Sequence, residues 1–490
     1  MPSQDQPVVS SAMLAEIVPP RILPRVLTRF DLVTIYFALI FGSYGAAQMA
    51  AGGWASLPML GLAAITFLVP CALCSYELGT LFPGEGGIYI WAHKTFGPIH
   101  GFVAGWLSWV PIFLLLPLGV TAIVAHLQVA FGASWPLWVQ VGLQIALILF
   151  VTALSVLRLN LSQSYVRLMF FVSFGTAACV FLAAILWNGA KTPVTSDVLS
   201  FNLAKHGNLY SAAILWLLGV EVPFNMGAEF KDHKSVAGTM FLWGSIALLL
   251  GYVLGIVGVL GLTPADKVDA TTGVAKALTV VSPFIASVVA IAICFAITSQ
   301  DVAYMNSYSR LLFISGIEHR LPEVVGQVTP RTRVPIPALL VQALGASIVI
   351  LSFSTQAKLA IAFNLYIAAL VTVWCTSLFY LYFCVLRARR IYRDAYAQRG
   401  TDVWRIPGGS SGLWSVAIAG ALFNAAAIYY VFALPLTSDI SANAWRTWLF
   451  AISLVVAVTG VVIFKTGEQR AARFDLDSTL AQYATLDKPK

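Results

Sequence analysis

LVTIYFALIFGSYGAAQMAAGGWAS, residues 32–56, runs for 25 positions without a charge and is broken in the middle by glycine. About 20 apolar residues span a bilayer as a helix, so the length fits a crossing. Gly42-Ser43-Tyr44-Gly45 interrupts it and Gly52-Gly53 closes it. Each glycine costs a helix about 1 kcal/mol against alanine. A second apolar run, near 209–230, is interrupted at the corresponding place by Gly219-Val220-Glu221-Val222-Pro223. Proline removes an N–H and clashes with the preceding turn. Backbone groups freed in hydrocarbon must find partners, so a mid-depth break is tolerated where it lines a cavity. Corresponding breaks in two halves of a chain point to a binding site there. Half-helix N-termini offer N–H donors and positive dipole to a carboxylate, and freed carbonyls accept from an ammonium. The pair of breaks therefore suits a zwitterion, with Gly42, Ser43, Tyr44, Gly45, Trp216, Gly219, Val220 and Phe224 as expected substrate-binding residues. The alternative is that Gly42, Ser43 and Gly45 merely let two helices pack closely.

The rest of the chain supports a membrane reading. Of 490 residues, 59% are hydrophobic and 10% charged, against roughly 25% charged in soluble domains. Twelve apolar runs are expected as spanning helices, near 32–56, 58–79, 98–130, 136–156, 165–187, 209–230, 236–262, 280–315, 335–354, 358–386, 412–434 and 446–465. With the N-terminus inside and strict alternation, 23 of the 29 Lys and Arg fall in the N-tail, the inner loops and the C-tail. That split fits the positive-inside rule, and an odd helix count would spoil it. The net charge of +8 is thus read as membrane orientation, with no nucleic-acid partner. Trp54, Trp91, Trp135, Trp138, Trp187, Trp404, Trp414, Trp445 and Trp448 lie near expected helix ends, where indoles favour the headgroup region. The first run follows a polar stretch with Arg21, Arg25 and Arg29, so it is expected to remain a membrane helix rather than a cleaved leader. The six cysteines all fall within apolar runs, and Cys71-x-x-Cys74 has no second pair to form a metal site. The expected fold class is an all-α integral membrane protein with helices one and six broken.

Three acids stand out. Glu221 lies in the sixth-run break, and a mid-membrane charge costs at least about 2.5 kcal/mol, which makes it a candidate for coupling or gating, for an amine contact, or for a structural hydrogen bond. Asp301 follows Thr298-Ser299-Gln300, nine residues before Arg310, and shares a helix face with Tyr304, Met305 and Tyr308. It is a candidate for binding a cationic group, carrying a proton, holding Na⁺ with Thr298 and Ser299, or pairing structurally with a neighbouring helix. Glu229, before Lys231-Asp232-His233-Lys234, reads as a solvated or gate salt bridge rather than a substrate contact. His126 is expected as a packing histidine and Asp31 as an N-cap or dipole partner of the first helix.

Glu77-Leu78-Gly79-Thr80-Leu81-Phe82-Pro83-Gly84-Glu85-Gly86-Gly87-Ile88-Tyr89-Ile90-Trp91 resembles the signature after the second helix of amino acid permeases. Phe96-Gly97-Pro98, Gly219-Val220-Glu221 and Ser309-Arg310-Leu311-Leu312-Phe313 continue the likeness, which runs from about 30 to 465. The chain thus resembles the amino acid–polyamine–organocation superfamily, on its glutamate/GABA antiporter or polyamine-exchanger side. The resemblance implies two inverted five-helix repeats, over 31–190 and 208–390, then helices eleven and twelve over 412–465, with cytoplasmic tails at 1–30 and 466–490. It implies alternating access around a site among helices one, three, six, eight and ten, and a proton-gating role for Glu221. Family members usually show Gly-Ser-Gly in the first helix, where this chain inserts Tyr44; the fifth helix lacks the lysine of some proton-coupled relatives and has Arg167 near its start.

The expected activity is secondary transport of amino acids, by exchange or proton-coupled symport, in the plasma membrane (a bacterial inner membrane), as monomer or homodimer. The alternative is exchange of a polyamine or other organic cation on the same fold. No cofactor or metal is expected. The sequence holds no H-E-x-x-H, G-x-S-x-G or phosphate-binding loop to suggest an enzyme, and no repeated pore segment to suggest a channel.

Overall fold

With no water in hydrocarbon to satisfy the backbone, each charge-free run pairs its own N–H and C=O groups along a helix. The computed structural model describes residues 13–189, 191–199, 201–354, 359–436, 440–472 and 483. The helices used below are α1 (Arg29–Ile40), α2 (Ser43–Ala51), α3 (Gly53–Leu81), α4 (Gly87–Phe96), α5 (Pro98–Phe131), α6 (Leu137–Ser155), α7 (Leu159–Leu186), α8 (Leu203–Leu215), α9 (His233–Leu262), α10 (Pro283–Ile317), α11 (Ile336–Ser354), α12 (Leu359–Ile391), α13 (Gly409–Ala433) and α14 (Ala442–Ala472).

Every expected run but the sixth lies mainly in helix. Among the described residues, nine helices are long and apolar enough to cross a membrane, and the pair α1–α2, bent by 43° at its break, makes a tenth. The two other expected crossings fall short for physical reasons. The sixth stops at Leu215 and resumes only as a 3-10 turn over Val222–Glu229, because Gly219 adopts φ +108° and Pro223 cannot continue an α-helix. In the ninth, the apolar helical stretch covers only Ile336–Ser352.

Packing follows an internal pseudo-symmetry. Exchanging the first five crossings for the next five turns most neighbouring pairs into other neighbouring pairs. Thus α7 on α9 becomes α12 on α3, α6 on α10 becomes α11 on α5, α2 on α9 becomes α8 on α3, and α1 on α7 becomes α8 on α12; α5 on α10 and α6 on α11 map to themselves. A π-helical turn sits in α3 at Ala64–Leu68 and its counterpart sits in α9 at Met240–Gly244. This is the inverted-repeat arrangement, with α13 and α14 packed outside it on α12. The hydropathic windows of α6 and α14 are only 22% buried, so they face lipid, whereas that of α5 is 78% buried at the centre.

Several expectations change. Arg310, counted among the inner-loop cations, lies within α10 and is fully buried, held by carboxylates from two other elements. Trp91 and Trp445 are buried in packing contacts. Thr28, not Asp31, is the N-cap of α1; Asp31 completes the capping box from the third position and sits 3.5 Å from Arg167. His126 is buried, with Nδ1 2.7 Å from the Ala122 carbonyl, as a packing histidine would be. α14 continues past 465 to Ala472; of the C-tail beyond it only Tyr483 is described, and Lys358 also lies outside the described residues.

Candidate functional site

The α1–α2 break frees backbone groups, and the fold answers them with three side chains from two helices. The Leu39 carbonyl accepts from the Tyr304 hydroxyl, the Ile40 carbonyl from Tyr252 (2.7 Å), and the Phe41 carbonyl from Gln300 Nε2 (3.2 Å). Tyr304 and Gln300 come from α10 and Tyr252 from α9, so the break is pinned to both. Tyr44, the residue that departs from the usual motif, lies across its own helix start. A Cβ on Gly42 would sit 3.0 Å from the Tyr44 ring, and the phenol donates to Gln300 Oε1 at 2.8 Å.

The second break meets the first. Trp216 packs edge-on to Tyr44 at 5.1 Å, and its Nε1 donates to Gln48 of α2 at 2.7 Å. A Cβ on Gly45 would come within 2.7 Å of the indole, which explains a glycine at this point. Glu221 is buried, and Oε1 accepts from Trp374 Nε1 of α12 at 2.7 Å, while Oε2 has no partner. Tyr308 stacks edge-on to Trp374 at 5.9 Å. Asp301 is 1% exposed, and neither carboxylate oxygen has a partner among the described residues. It faces Gly119 of α5, where a Cβ would overlap the carboxylate.

The structure therefore brings Gly42, Ser43, Tyr44, Gly45, Trp216, Gly219 and Glu221 together, with Asp301 one residue from the shared Gln300. Val220 is buried within the same turn. Phe224 lies elsewhere: it packs on Gly79 and edge-on to Trp91, below the breaks. Glu229 lies further still, at the basic end of the bundle. The partners Gln300, Tyr252 and Trp374 were missed. Gln300 stands beside Asp301 in the sequence and was a legible polar neighbour; Trp374 sits in an ordinary apolar run that carries no such signal.

The basic end is sealed. Leu27 forms an isolated bridge with Phe230, its N–H donating to the Glu229 carbonyl at 3.0 Å. Met13, Leu14, Ala15, Val18, Ile22 and Leu23 are buried beneath the helices. The Ala15 N–H donates to Glu318 at 3.0 Å, and Glu16 pairs with Lys94 at 2.6 Å. Burial pushes the Glu318 carboxyl up to about 6. The loop before α4 is knitted to the sixth crossing by Gly86 N–H to Asn225 O (3.0 Å) and by Ala228 N–H to Glu85 Oε2 (2.9 Å). At this loop Arg310 reaches Glu229 Oε1 at 2.9 Å and lies 3.4 Å from Glu85 Oε1.

Comparison with known proteins agrees with this architecture. A model of the family described as amino acid permease matches residues 27–462. An uncharacterised transporter of Legionella pneumophila is 25% identical over 57% of this chain and 63% of its own length. A probable agmatine/putrescine antiporter of Lactococcus lactis is 24% identical over 50% of this chain and 53% of its own. Both matches span less than two thirds of the relative. A probable polyamine transporter of Arabidopsis thaliana is 23% identical over 77% of this chain and 74% of its own length. The crystal structure of the Eremococcus coleocola manganese transporter, bound to an aromatic bis-isothiourea compound, superposes with a TM-score of 0.60 at 13% identity, covering 94% of this chain and all of that one. At that identity the likeness speaks for the fold alone. The paired breaks, the pseudo-symmetric packing and a match across most of the length converge: the chain belongs to the amino acid permease family, within the amino acid–polyamine–organocation superfamily.

Proposed function

We propose that the protein is a secondary transporter that carries a small organic amine across the plasma membrane by alternating access, and that a diamine or agmatine-like cation is the substrate class that its site fits best. It would cross twelve times with both termini cytoplasmic, the repeats lying over 31–190 and 208–390. One observation carries the substrate reading: Asp301 is buried at mid-helix with both oxygens unpartnered, and Glu221 has one oxygen free. Buried carboxylates without a cation are costly, and an ammonium supplies the missing partner. Tyr44 supports the same reading, since its ring lies over Gly42 where a substrate carboxylate would approach the start of α2. Two similar proteins bear agmatine/putrescine and polyamine transporter names. The second reading, amino acid transport, is favoured by Ser43, whose buried hydroxyl at the start of α2 has no partner and could donate to a carboxylate.

The test is thermal shift of purified protein against putrescine, agmatine and a panel of α-amino acids, since a ligand that binds the folded state raises the midpoint by mass action. Putrescine or agmatine should raise it; a shift with amino acids alone would replace the diamine reading by the second. The coupling ion follows from the break. Carbonyls that could ligate Na⁺ already accept from Tyr304, Tyr252 and Gln300. Uptake into liposomes should therefore run at an unchanged rate when Na⁺ is replaced by N-methylglucamine, and a steep loss would refute the capped break.

A further inference from the structure

Three ionisable side chains close the basic end, and their charges do not balance. Glu85 comes from the loop before α4, Glu229 from the 3-10 turn, and Arg310 from α10; each is 0 or 1% exposed. Arg310 NH2 donates to Glu229 Oε1 at 2.9 Å, and NH1 to Ser309 at 3.3 Å. The Ala228 N–H holds Glu85 Oε2. Glu85 Oε1, Glu229 Oε2 and Arg310 Nε make no hydrogen bond with any described residue. One guanidinium thus faces two carboxylates in a site closed to water. Glu77 provides an internal contrast. Equally buried, it meets the Arg389 guanidinium, the Tyr396 hydroxyl (2.6 Å) and the Ile406 N–H (2.7 Å), one anion to one cation.

The surrounding elements supply no second cation. From the N-terminal segment Glu16 is engaged with Lys94 of α4, and Ala15 with Glu318 at the end of α10. The charged groups that act on His93 of α4 are Arg320 and Lys94, not the two carboxylates. His233, at the start of α9, stacks on Phe230 at 5.4 Å, and Tyr308 on α10 packs against Trp374. Among the described residues no other basic group pairs with Glu85 or Glu229.

We propose that Glu85 and Glu229 together hold one proton whenever this face is closed, and that opening the face delivers that proton to cytoplasmic water. Two carboxylates that share a buried site cannot both stay ionised against one cation, so the closed state keeps one of them as the neutral acid. When the Gly84–Glu85–Gly86 loop parts from Ala228, water reaches the pair, the O–H bond of the acid breaks, and the proton passes to the aqueous buffer. Arg310 and two solvated carboxylates remain. This rests on the transporter reading above, and it identifies the coupled ion and the place from which it leaves.

The experiment is infrared difference spectroscopy of purified full-length protein in its closed form, comparing wild type with Glu85→Gln, Glu229→Gln and the double variant, together with thermal midpoints. The carboxylic-acid C=O band that shifts in D2O should be lost from wild type in each single variant, because the remaining carboxylate then balances Arg310. The single variants should keep the wild-type midpoint within a few degrees, and the double variant, which strands Arg310, should fall well below them. In liposomes the single variants should still exchange substrate, with the dependence of rate on cytoplasmic-side pH flattened to about a factor of one. A wild-type-minus-variant difference spectrum that shows no acid band lost in either single variant, or single variants as unstable as the double, would overturn the shared proton. The spectroscopic and thermal arms need no substrate, so failure of the substrate reading leaves them decisive.

Discussion

Arg310→Met should lower the thermal midpoint further than any other single substitution at the basic end. Methionine fills nearly the same volume, so the loss reports charge rather than a cavity. What remains is Glu229 and Glu85, both buried, with only the Ala228 N–H still donating to either. Removing one partner of a buried ion pair costs about 3–5 kcal/mol, because the stranded charge is left without compensation. Acid should restore part of that loss. In the variant both carboxylates are tolerated only as neutral acids, so the folded state gains protons relative to the unfolded chain; stability is greatest at low pH and falls as the pH rises. Arg310→Lys should lie between: an ammonium keeps the charge but lacks the fork that reaches two carboxylates from one side chain. The measurement is the midpoint of detergent-purified protein, followed by size-exclusion chromatography across pH. A variant as stable as wild type at neutral pH would show that the three side chains do not form the buried ion set seen here.

That ion set also marks where reading the sequence stops. The breaks at Gly42–Gly45 and Gly219–Pro223 were legible because glycine and proline act locally: they damage a helix wherever they stand, and apolar flanks place them at membrane depth. The crossings were legible for the same reason, since a charge-free run needs no partner to be recognised. Arg310 was not. Counting charges puts it with the inner loop, because a cation nine residues beyond Asp301 and ten before Arg320 reads as a helix end. Only the fold brings Glu85 to it, and Glu85 was read as part of a signature rather than as a charge. Trp374 and Tyr252 escaped for a related reason: each looks like lipid-facing apolar bulk until a broken helix presents Glu221 or, from the other repeat, a bare carbonyl to it. The sixth crossing was counted as one run, and its 3-10 half appears only when Gly219 takes a positive φ. Local costs can be read from composition, whereas pairings between repeats depend on the packing symmetry.

Asp301→Asn should weaken binding of a diamine by about 10–100-fold. A hydrogen bond to a charged group contributes about 1.5–3 kcal/mol, and each 1.4 kcal/mol is a factor of ten. Asp301 has both oxygens free among the described residues and Gly119 opposite it, so an ammonium can take a carboxylate that no other described residue uses. Asparagine keeps the shape and removes the charge, and since no protein partner is lost the folded state should be at least as stable as wild type. That combination of weaker ligand binding with undiminished stability separates a binding carboxylate from a structural one, whose loss would lower both. Glu221→Gln makes the useful comparison. Its Oε1 can still accept from Trp374, so it should keep the break in place while reducing the attraction for the second ammonium. If both substitutions weaken putrescine while a monoamine responds only to one of them, the two carboxylates hold the two ends of one substrate. The measurement is the shift in thermal midpoint titrated against ligand concentration for each variant. An unchanged affinity for every amine in Asp301→Asn would remove that residue from the binding site and leave Glu221 as the only buried acid at the breaks available to a cation.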